Sequence, residues 1–194
     1  MGIASVLSYN KGGIYMKTNS TRKIVLNGLL IALVFLATYF TKIPTPLPGG
    51  YFNLGDSVIM LAAAFLGPIG GMIAGSAGSA LADLAFGGFL FAPITFVVKG
   101  AEGLAVGLLI SKMRKAVGLK HGRLIAAVVA GAVIMVAGYF LAEAFLLSAF
   151  DEAFGLMAAV AEIPYNSVQG ILSAILGYIL TLILSKTGIE KHIG

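Results

Sequence analysis

"GYFNLGDSVIMLAAAFLGPIGGMIAGSAGSALADL" (residues 50–84) contains two apolar runs that meet at Gly67-Pro68. The first run, residues 58–66, is too short to cross a bilayer unless its helix begins near Asn53. The second run covers residues 69–86. Because glycine followed by proline interrupts a helix, the stretch predicts two helices, the second and third of the chain.

The composition of the whole chain indicates an integral membrane protein. Of its 194 residues, 59% are hydrophobic and 11% are charged, whereas a soluble domain has about 25% charged residues. Further apolar runs cover residues 24–43, 93–111, 124–147 and 156–184, so we predict an all-α bundle of six transmembrane helices, with five as the fallback. The chain has no cysteine, which excludes disulfides and thiolate metal sites.

The basic residues predict the orientation in the membrane. All except Lys42 and Lys99 form three groups, before helix 1, between helices 4 and 5, and after helix 6, and six crossings put all three groups on one side. The positive-inside rule makes that side cytoplasmic, so both termini are expected there. The net charge of +5 is therefore a topology signal and does not predict nucleic acid binding. Residues 1–21 are expected to be a disordered cytoplasmic tail or an added leader, and residues 187–194 a cytoplasmic tail. Residues 22–186 are expected to form the six-helix transmembrane domain, with a structured extracellular loop after helix 1.

Charged residues inside the apolar runs all lie in the outward half of the predicted bundle: Asp83, Lys99, Glu102, Glu143 and Glu162. Such residues are costly in a bilayer and usually mark a functional site. Lys99 and Glu102 are three residues apart on one helix and are expected to pair, although this pair could serve only helix packing. Asp83 and Glu143 lie closer to the interface, where solvated side chains are the alternative.

The stretch "AEIPYNSVQG" (residues 161–170) carries polar residues into the last apolar run. Glu162, Asn166, Gln169 and Ser173 follow a 4-3-4 spacing, which places them on one helical face. We name these four residues the polar stripe. The stripe predicts one wall of a pocket, lined also by Lys99 and Glu102; hydrogen bonding between helices is the alternative.

The charges and rings near this pocket restrict its ligand. The carboxylates of the outer half outnumber Lys99 by three, which disfavours an anionic ligand and favours a neutral or cationic one. Aromatic residues near the outer mouth, Tyr51, Phe52, Phe86, Phe89, Phe91 and Tyr139 among them, could sandwich a flat ring, although packing is the commoner use of such residues. The chain has no P-loop, H-E-x-x-H or G-x-S-x-G motif, so we expect no enzyme, cofactor or metal site.

Three segments of the chain resemble S-components, the substrate-binding subunits of energy-coupling factor (ECF) vitamin transporters. They are residues 50–84, "APITFVVKGAEGL" (residues 92–104) and "EIPYNSVQG" (residues 162–170). The resemblance implies a vitamin binder in a prokaryotic cell membrane that docks on a transmembrane T-component and two cytoplasmic ATPase subunits and topples to release its substrate inside. The small-xxx-small pair Gly28 and Ala32 in helix 1 matches the motif that contacts the T-component, with internal packing as the alternative.

The resemblance is greatest to the hydroxymethylpyrimidine and pyridoxine group. Riboflavin binding is one alternative, and a stand-alone proton-coupled secondary transporter is another. The predicted substrate-binding residues are Asn53, Asp83, Lys99, Glu102, Tyr139, Glu162, Asn166 and Gln169.

Overall fold

The computed structural model describes residues 20–46, 50–117 and 121–186 and is helical apart from one short hairpin. The α-helices are α1 (Ser20–Phe40), α2 (Gly55–Ala85), α3 (Ala92–Val117), α4 (His121–Leu141) and α5 (Leu156–Lys186). Strands β1 (Ile43–Pro44) and β2 (Tyr51–Phe52) pair antiparallel between α1 and α2. The predicted tails, residues 1–21 and 187–194, lie almost entirely outside the described residues.

Helix α2 reverses its direction at Gly67, which has φ 79° and ψ −169°. A Cβ atom on Gly71 would lie 2.6 Å from the Cβ atom of Ala63, and one on Gly75 would lie 3.1 Å from Cγ2 of Ile59. Residues 8 and 16 positions apart in a continuous helix are about 12 and 24 Å apart along its axis, so the two arms must lie antiparallel. We name residues 55–66 the first arm and residues 68–85 the second arm.

This reversal explains the difference between six predicted helices and five α-helical elements in the described chain. The predicted second and third helices correspond to the arms of α2. Four described segments are long and apolar enough to cross a membrane, namely Gly55–Ala85, Ala92–Ser111, His121–Ala149 and Leu156–Lys186, and the apolar part of α1, Ile24–Phe40, is shorter. Helix α1 ends at Phe40, before the predicted limit of residue 43, because the hairpin begins there.

Helix α2 packs against α1, α3 and α5, and α4 packs against α3 and α5. Close approach depends on small residues, since a Cβ atom on Gly103 would collide with the backbone of Gly71. The main apolar core joins Met60 of α2, Val106 and Ile110 of α3, and Leu124 of α4. Glycines let the helix backbones touch, and the larger side chains fill the space beside those contacts.

The two ends of the bundle differ in construction. The described residues of the connection between α1 and α2 (41–46 and 50–54) lie at one end, with the connections of residues 86–91 and 150–155. The rings of Phe91 and Phe154 make an edge contact there. We call this the loop end. The reversal at Gly67 points toward the opposite end, which we call the turn end. Beyond α4, the chain continues through a π-helical segment (Ala142–Leu146) and a 3₁₀ turn (Leu147–Ala149) to the loop end.

Candidate ligand-binding site

A small cavity lies at the loop end, between the 41–54 connection, α3, the end of α4 and α5. Its volume of about 30 Å³ is enough for roughly one water molecule. The residues that line it are Gly50, Tyr51, Asn53, Phe91, Thr95, Tyr139, Glu143, Glu162, Asn166 and Gln169. Three of the four residues of the polar stripe therefore face the cavity.

The connection between α1 and α2 is seated on the polar stripe by hydrogen bonds. Thr45 Oγ1 donates to Glu162 Oε1 at 2.9 Å. The backbone N–H and the Nδ2 group of Asn53 both donate to Gln169 Oε1, at 2.9 and 3.2 Å. A Cβ atom on Gly50 would collide with the carboxylate of Glu162, so only glycine lets the connection approach this closely. The connection therefore covers the cavity.

A buried ion pair lies behind the cavity. Lys99 Nζ donates to Asp56 Oδ1, and the second oxygen of Asp56 accepts a 2.8 Å hydrogen bond from Gln169 Nε2. Lys99 also lies 3.7 Å from Glu102 Oε2, so the predicted pair is present but is not the shorter of the two. The sequence analysis did not assign Asp56 to the site, because its nearness to Lys99 depends on the packing of α2 on α3.

The predicted site residues divide into two groups. Asn53, Tyr139, Glu162, Asn166 and Gln169 line the cavity, whereas Asp83, Lys99 and Glu102 do not. The prediction that Lys99 and Glu102 face the pocket therefore differs from the structure, in which they are fully enclosed between helices. Neither carboxylate oxygen of Glu102 makes a hydrogen bond within the described residues.

The suggestion that Asp83 and Glu143 are solvated is wrong. Both are buried, at 1% and 5% exposure. Asp83 accepts a hydrogen bond from the hydroxyl of Tyr51, which fixes strand β2 to the second arm of α2. Glu143 lies in the π-helical segment and faces the cavity. The only signal for Glu143 in the sequence was an isolated carboxylate in an apolar run.

Lys42 and the rings of Tyr51 and Phe86 pack together at the edge of the covering connection. Lys42 Nζ lies 3.8 Å from the centroid of the Tyr51 ring and 4.0 Å from that of Phe86. Burial lowers the pKa of Lys42 below its ordinary value, and the Asp83 carboxylate offsets part of that shift. Burial, with Tyr139 and Asp83 nearby, raises the pKa of Tyr51, so its hydroxyl remains a donor at neutral pH.

The wall formed by α3 and α4 contains two residues that sequence reasoning did not assign to the site. Thr95 Oγ1 and the hydroxyl of Tyr139 are 3.0 Å apart, and the ring of Phe91 lies beside them on the cavity. Thr95 carries no distinctive signal in an apolar helix. Phe91 was recognised only as one of several aromatic residues near the mouth.

The small residues of α1 lie away from this site. Gly28 and Ala32 are both exposed, and a Cβ atom on Gly28 would have no atom within 4 Å. The alternative that this pair packs inside the bundle is therefore wrong for the described residues. Exposed apolar neighbours, Val25 and Leu29 among them, continue the same surface.

An apolar helical bundle with a polar, ring-lined cavity at one end has the construction of a membrane-embedded ligand-binding subunit. The family model described as ECF-type riboflavin transporter, S component, matches residues 18–186, and the chain belongs to this family. This confirms the predicted S-component class. The match does not show the hydroxymethylpyrimidine and pyridoxine subgroup.

Similar proteins agree with this membership. An uncharacterized protein of Pyrococcus woesei is 38% identical over 153 residues, which cover 79% of this chain and 95% of that protein. A UPF0397 protein of Lactococcus lactis is 37% identical over 68 residues, or 35% of this chain and 37% of that protein. The crystal structure of an S-component for biotin from an ECF-type ABC transporter has a TM-score of 0.59 at 17% identity, covering 86% of this chain and 94% of that one. This last likeness is one of fold.

Proposed function

We propose that the protein is the substrate-specificity subunit of an ECF-type importer and binds riboflavin at the loop-end cavity. The observation that carries the proposal is the match of residues 18–186, a range that includes every described residue, to the riboflavin S-component family. The protein then serves transport and catalyses no reaction. It delivers the vitamin to a module made of a T-component and two ATPase subunits.

The chemistry of the cavity supports a flat, uncharged ligand. The rings of Tyr51, Phe91 and Tyr139 offer stacking surfaces, and the amide of Asn166 offers both donors and an acceptor. The Nδ2 group of Asn53 already donates to Gln169, and its Oδ1 atom already accepts from the Gly55 N–H. Riboflavin combines a flat ring system with hydroxyl and imide groups that need such partners. The carboxylates of the site disfavour vitamins that carry a carboxylate of their own, such as biotin.

Binding of any vitamin requires the covering connection to move. Pockets for small molecules have volumes of roughly 300–1,000 Å³, about ten times or more the present cavity. The hydrogen bonds from Thr45 to Glu162 and from Asn53 to Gln169 are the contacts between the connection and α5 that would have to lengthen or break. The ligand then replaces them with hydrogen bonds of its own.

The membrane arrangement is part of the proposal. Both arms of α2 cross with α1, α3, α4 and α5, so six segments span the bilayer of the prokaryotic cell membrane. The loop end faces outside and both termini face the cytoplasm, as the distribution of Lys and Arg predicts. The exposed face of α1 around Gly28 and Ala32 is the surface that docks on the T-component, because small residues there allow close helix contact.

A hydroxymethylpyrimidine or pyridoxine-like ring is the second candidate. The small volume of the cavity favours it, because a smaller ligand demands less movement of the covering connection. The same polar and aromatic residues serve either ligand.

Calorimetry on the purified protein with riboflavin, pyridoxine, hydroxymethylpyrimidine and biotin tests the proposal. Of these four compounds, riboflavin should bind most tightly. Asn166→Ala should weaken riboflavin binding, whereas Ser167→Ala, one residue further along α5, should not. Tighter binding of pyridoxine or hydroxymethylpyrimidine would select the second candidate. Uptake by cells that express this chain alone, abolished by a protonophore, would instead indicate a stand-alone proton-coupled transporter.

A further inference from the structure

Glu143 is a buried carboxyl group without a hydrogen-bond partner among the described residues. Its side chain is 5% exposed and lines the loop-end cavity. Within the described residues its carboxylate makes no hydrogen bond, whereas the other buried polar groups on the cavity, Asn53, Glu162 and Gln169, all have one. A buried carboxyl group without a protein partner is costly, so Glu143 can accept a hydrogen bond from any donor group that enters the cavity.

Glu143 lies in an irregular part of the helical backbone. Residues 142–146 form a π-helical segment at the end of α4, and such segments are often found at functional sites. Each extra residue in a helical turn rotates the following side chains by about 100° relative to a continuous α-helix. Glu143 lies inside this segment, and its side chain lines the cavity.

Glu162 faces the same cavity from α5, so two acidic side chains share one small space. Lys, Arg and His are absent from the described residues that line it. Lys99, the nearest buried lysine, is engaged by Asp56 behind the cavity, and Lys42 lies over the rings of Tyr51 and Phe86 on the rim. An anionic group on a ligand inside the cavity therefore has no described cation in the cavity lining to contact.

The cavity also has two chemically different sides. Tyr51, Phe91 and Tyr139 supply rings, while Glu143, Glu162 and Asn166 supply polar groups from the end of α4 and from α5. A flat ring on the aromatic side directs its polar substituents toward the two carboxyl groups. Hydroxyl or amino groups can donate to them, but a phosphate group would meet repulsion.

We propose that Glu143, together with Glu162, makes the cavity selective: it binds a vitamin with free hydroxyl groups and rejects the phosphate ester of that vitamin. This inference rests on the proposed function, and it names the chemical form of the substrate and a specificity residue that neither the family match nor the relatives assign.

The test compares riboflavin with riboflavin 5′-phosphate by calorimetry on the full-length protein, with pyridoxine and its 5′-phosphate as a second pair. The wild-type protein should bind each ester at least roughly 100-fold more weakly than the parent vitamin, because like charges in a shared site cost several kcal/mol. In the double variant Glu143→Gln with Glu162→Gln, the ratio between the dissociation constants of the ester and of the parent vitamin should fall by about tenfold or more. Glu152→Gln is the matched control, since Glu152 is an exposed carboxylate at the same end outside the cavity.

Three outcomes of this calorimetric comparison would contradict the inference. Equal binding of a vitamin and its phosphate ester by the wild-type protein overturns the inference without requiring any variant to fold. A ratio that stays unchanged in the double variant, or that narrows equally in Glu152→Gln, removes the two carboxyl groups from the discrimination. Failure of both parent vitamins to bind contradicts the proposed function itself, and the inference falls with it.

Discussion

The half of the bundle nearer the loop end (the loop half) contains buried polar groups, whereas the half nearer the turn end (the turn half) is apolar and closely packed. In the loop half, Asp56, Lys99, Glu102, Glu143 and Glu162 are all buried, and several polar atoms there have no protein partner in the described chain. In the turn half, glycines bring backbones into contact around an apolar core that includes Met60, Ile110 and Leu124. We infer from this difference that close packing in the turn half stabilises the fold and offsets the free-energy cost of burying polar groups in the loop half.

The largest expected effect comes from breaking the buried ion pair of the loop half. Asp56→Ala leaves Lys99 with only the more distant Glu102 and removes the acceptor of Gln169. The free energy of unfolding should fall by about 3–5 kcal/mol, as for other buried pairs that lose one partner. Denaturant unfolding in detergent micelles measures it.

Two further variants sharpen that result. Asp56→Ala combined with Lys99→Met and Glu102→Gln should recover part of the loss, because neither a lysine nor a glutamate is then left as an uncompensated buried charge. Glu152→Ala, which removes an exposed carboxylate, should change stability by less than about 0.5 kcal/mol. A loss below 1 kcal/mol for Asp56→Ala would mean that the pair contributes little to the loop half.

The second prediction tests the packing of the turn half. A Cβ atom on Gly71 would lie 2.6 Å from Cβ of Ala63 and 2.8 Å from the carbonyl oxygen of Gly103, and one on Gly28 would meet nothing within 4 Å. Gly71→Ala should therefore destabilise the protein by about 1–3 kcal/mol. Gly28→Ala should leave it unchanged or stabilise it slightly, by roughly 0.4–1 kcal/mol. Similar melting temperatures for the two variants would contradict the antiparallel contact of the arms of α2.

The third prediction concerns ligand affinity at the loop end. Glu162→Gln should weaken vitamin binding by about 1–3 kcal/mol, because a charged acceptor is replaced by a neutral one. Thr45→Val, which removes the hydrogen bond to Glu162 but keeps the carboxylate, should have a smaller effect. Unchanged affinity in Glu162→Gln by calorimetry would remove Glu162 from the ligand site.

The smallest effect on the chain itself is expected at the exposed face of α1. Replacing Gly28 and Ala32 with leucine should not lower the stability and should change vitamin affinity by less than about 0.5 kcal/mol, since both residues are exposed. The same variant should fail to co-purify with the T-component. Leucine at Ala126 and Ala137, exposed on α4, is the matched control and should leave the complex intact. Loss of vitamin binding instead would contradict a role limited to docking.

Much of the architecture could be predicted from local patterns. The length and apolar content of the runs predicted a helical membrane protein, and Gly67-Pro68 marked the place where α2 reverses. The spacing of Glu162, Asn166 and Gln169 predicted a polar face on the last helix, and all three line the cavity. These features depend on periodicity and on backbone preferences, which a sequence contains directly.

The sequence by itself thus determined that the protein is membrane-embedded, where its helices are interrupted, and which face of α5 is polar. Only the tertiary structure decided that Lys99 pairs most closely with Asp56, that Lys99 and Glu102 lie behind the cavity, and that Glu143 lines it. The reason is physical. The partner of a buried charge depends on how each helix is rotated about its axis and on which residues of distant segments reach the same depth. In this bundle those rotations depend on glycine contacts between helices and on the π-helical segment after α4, whose effects appear only once the helices pack together.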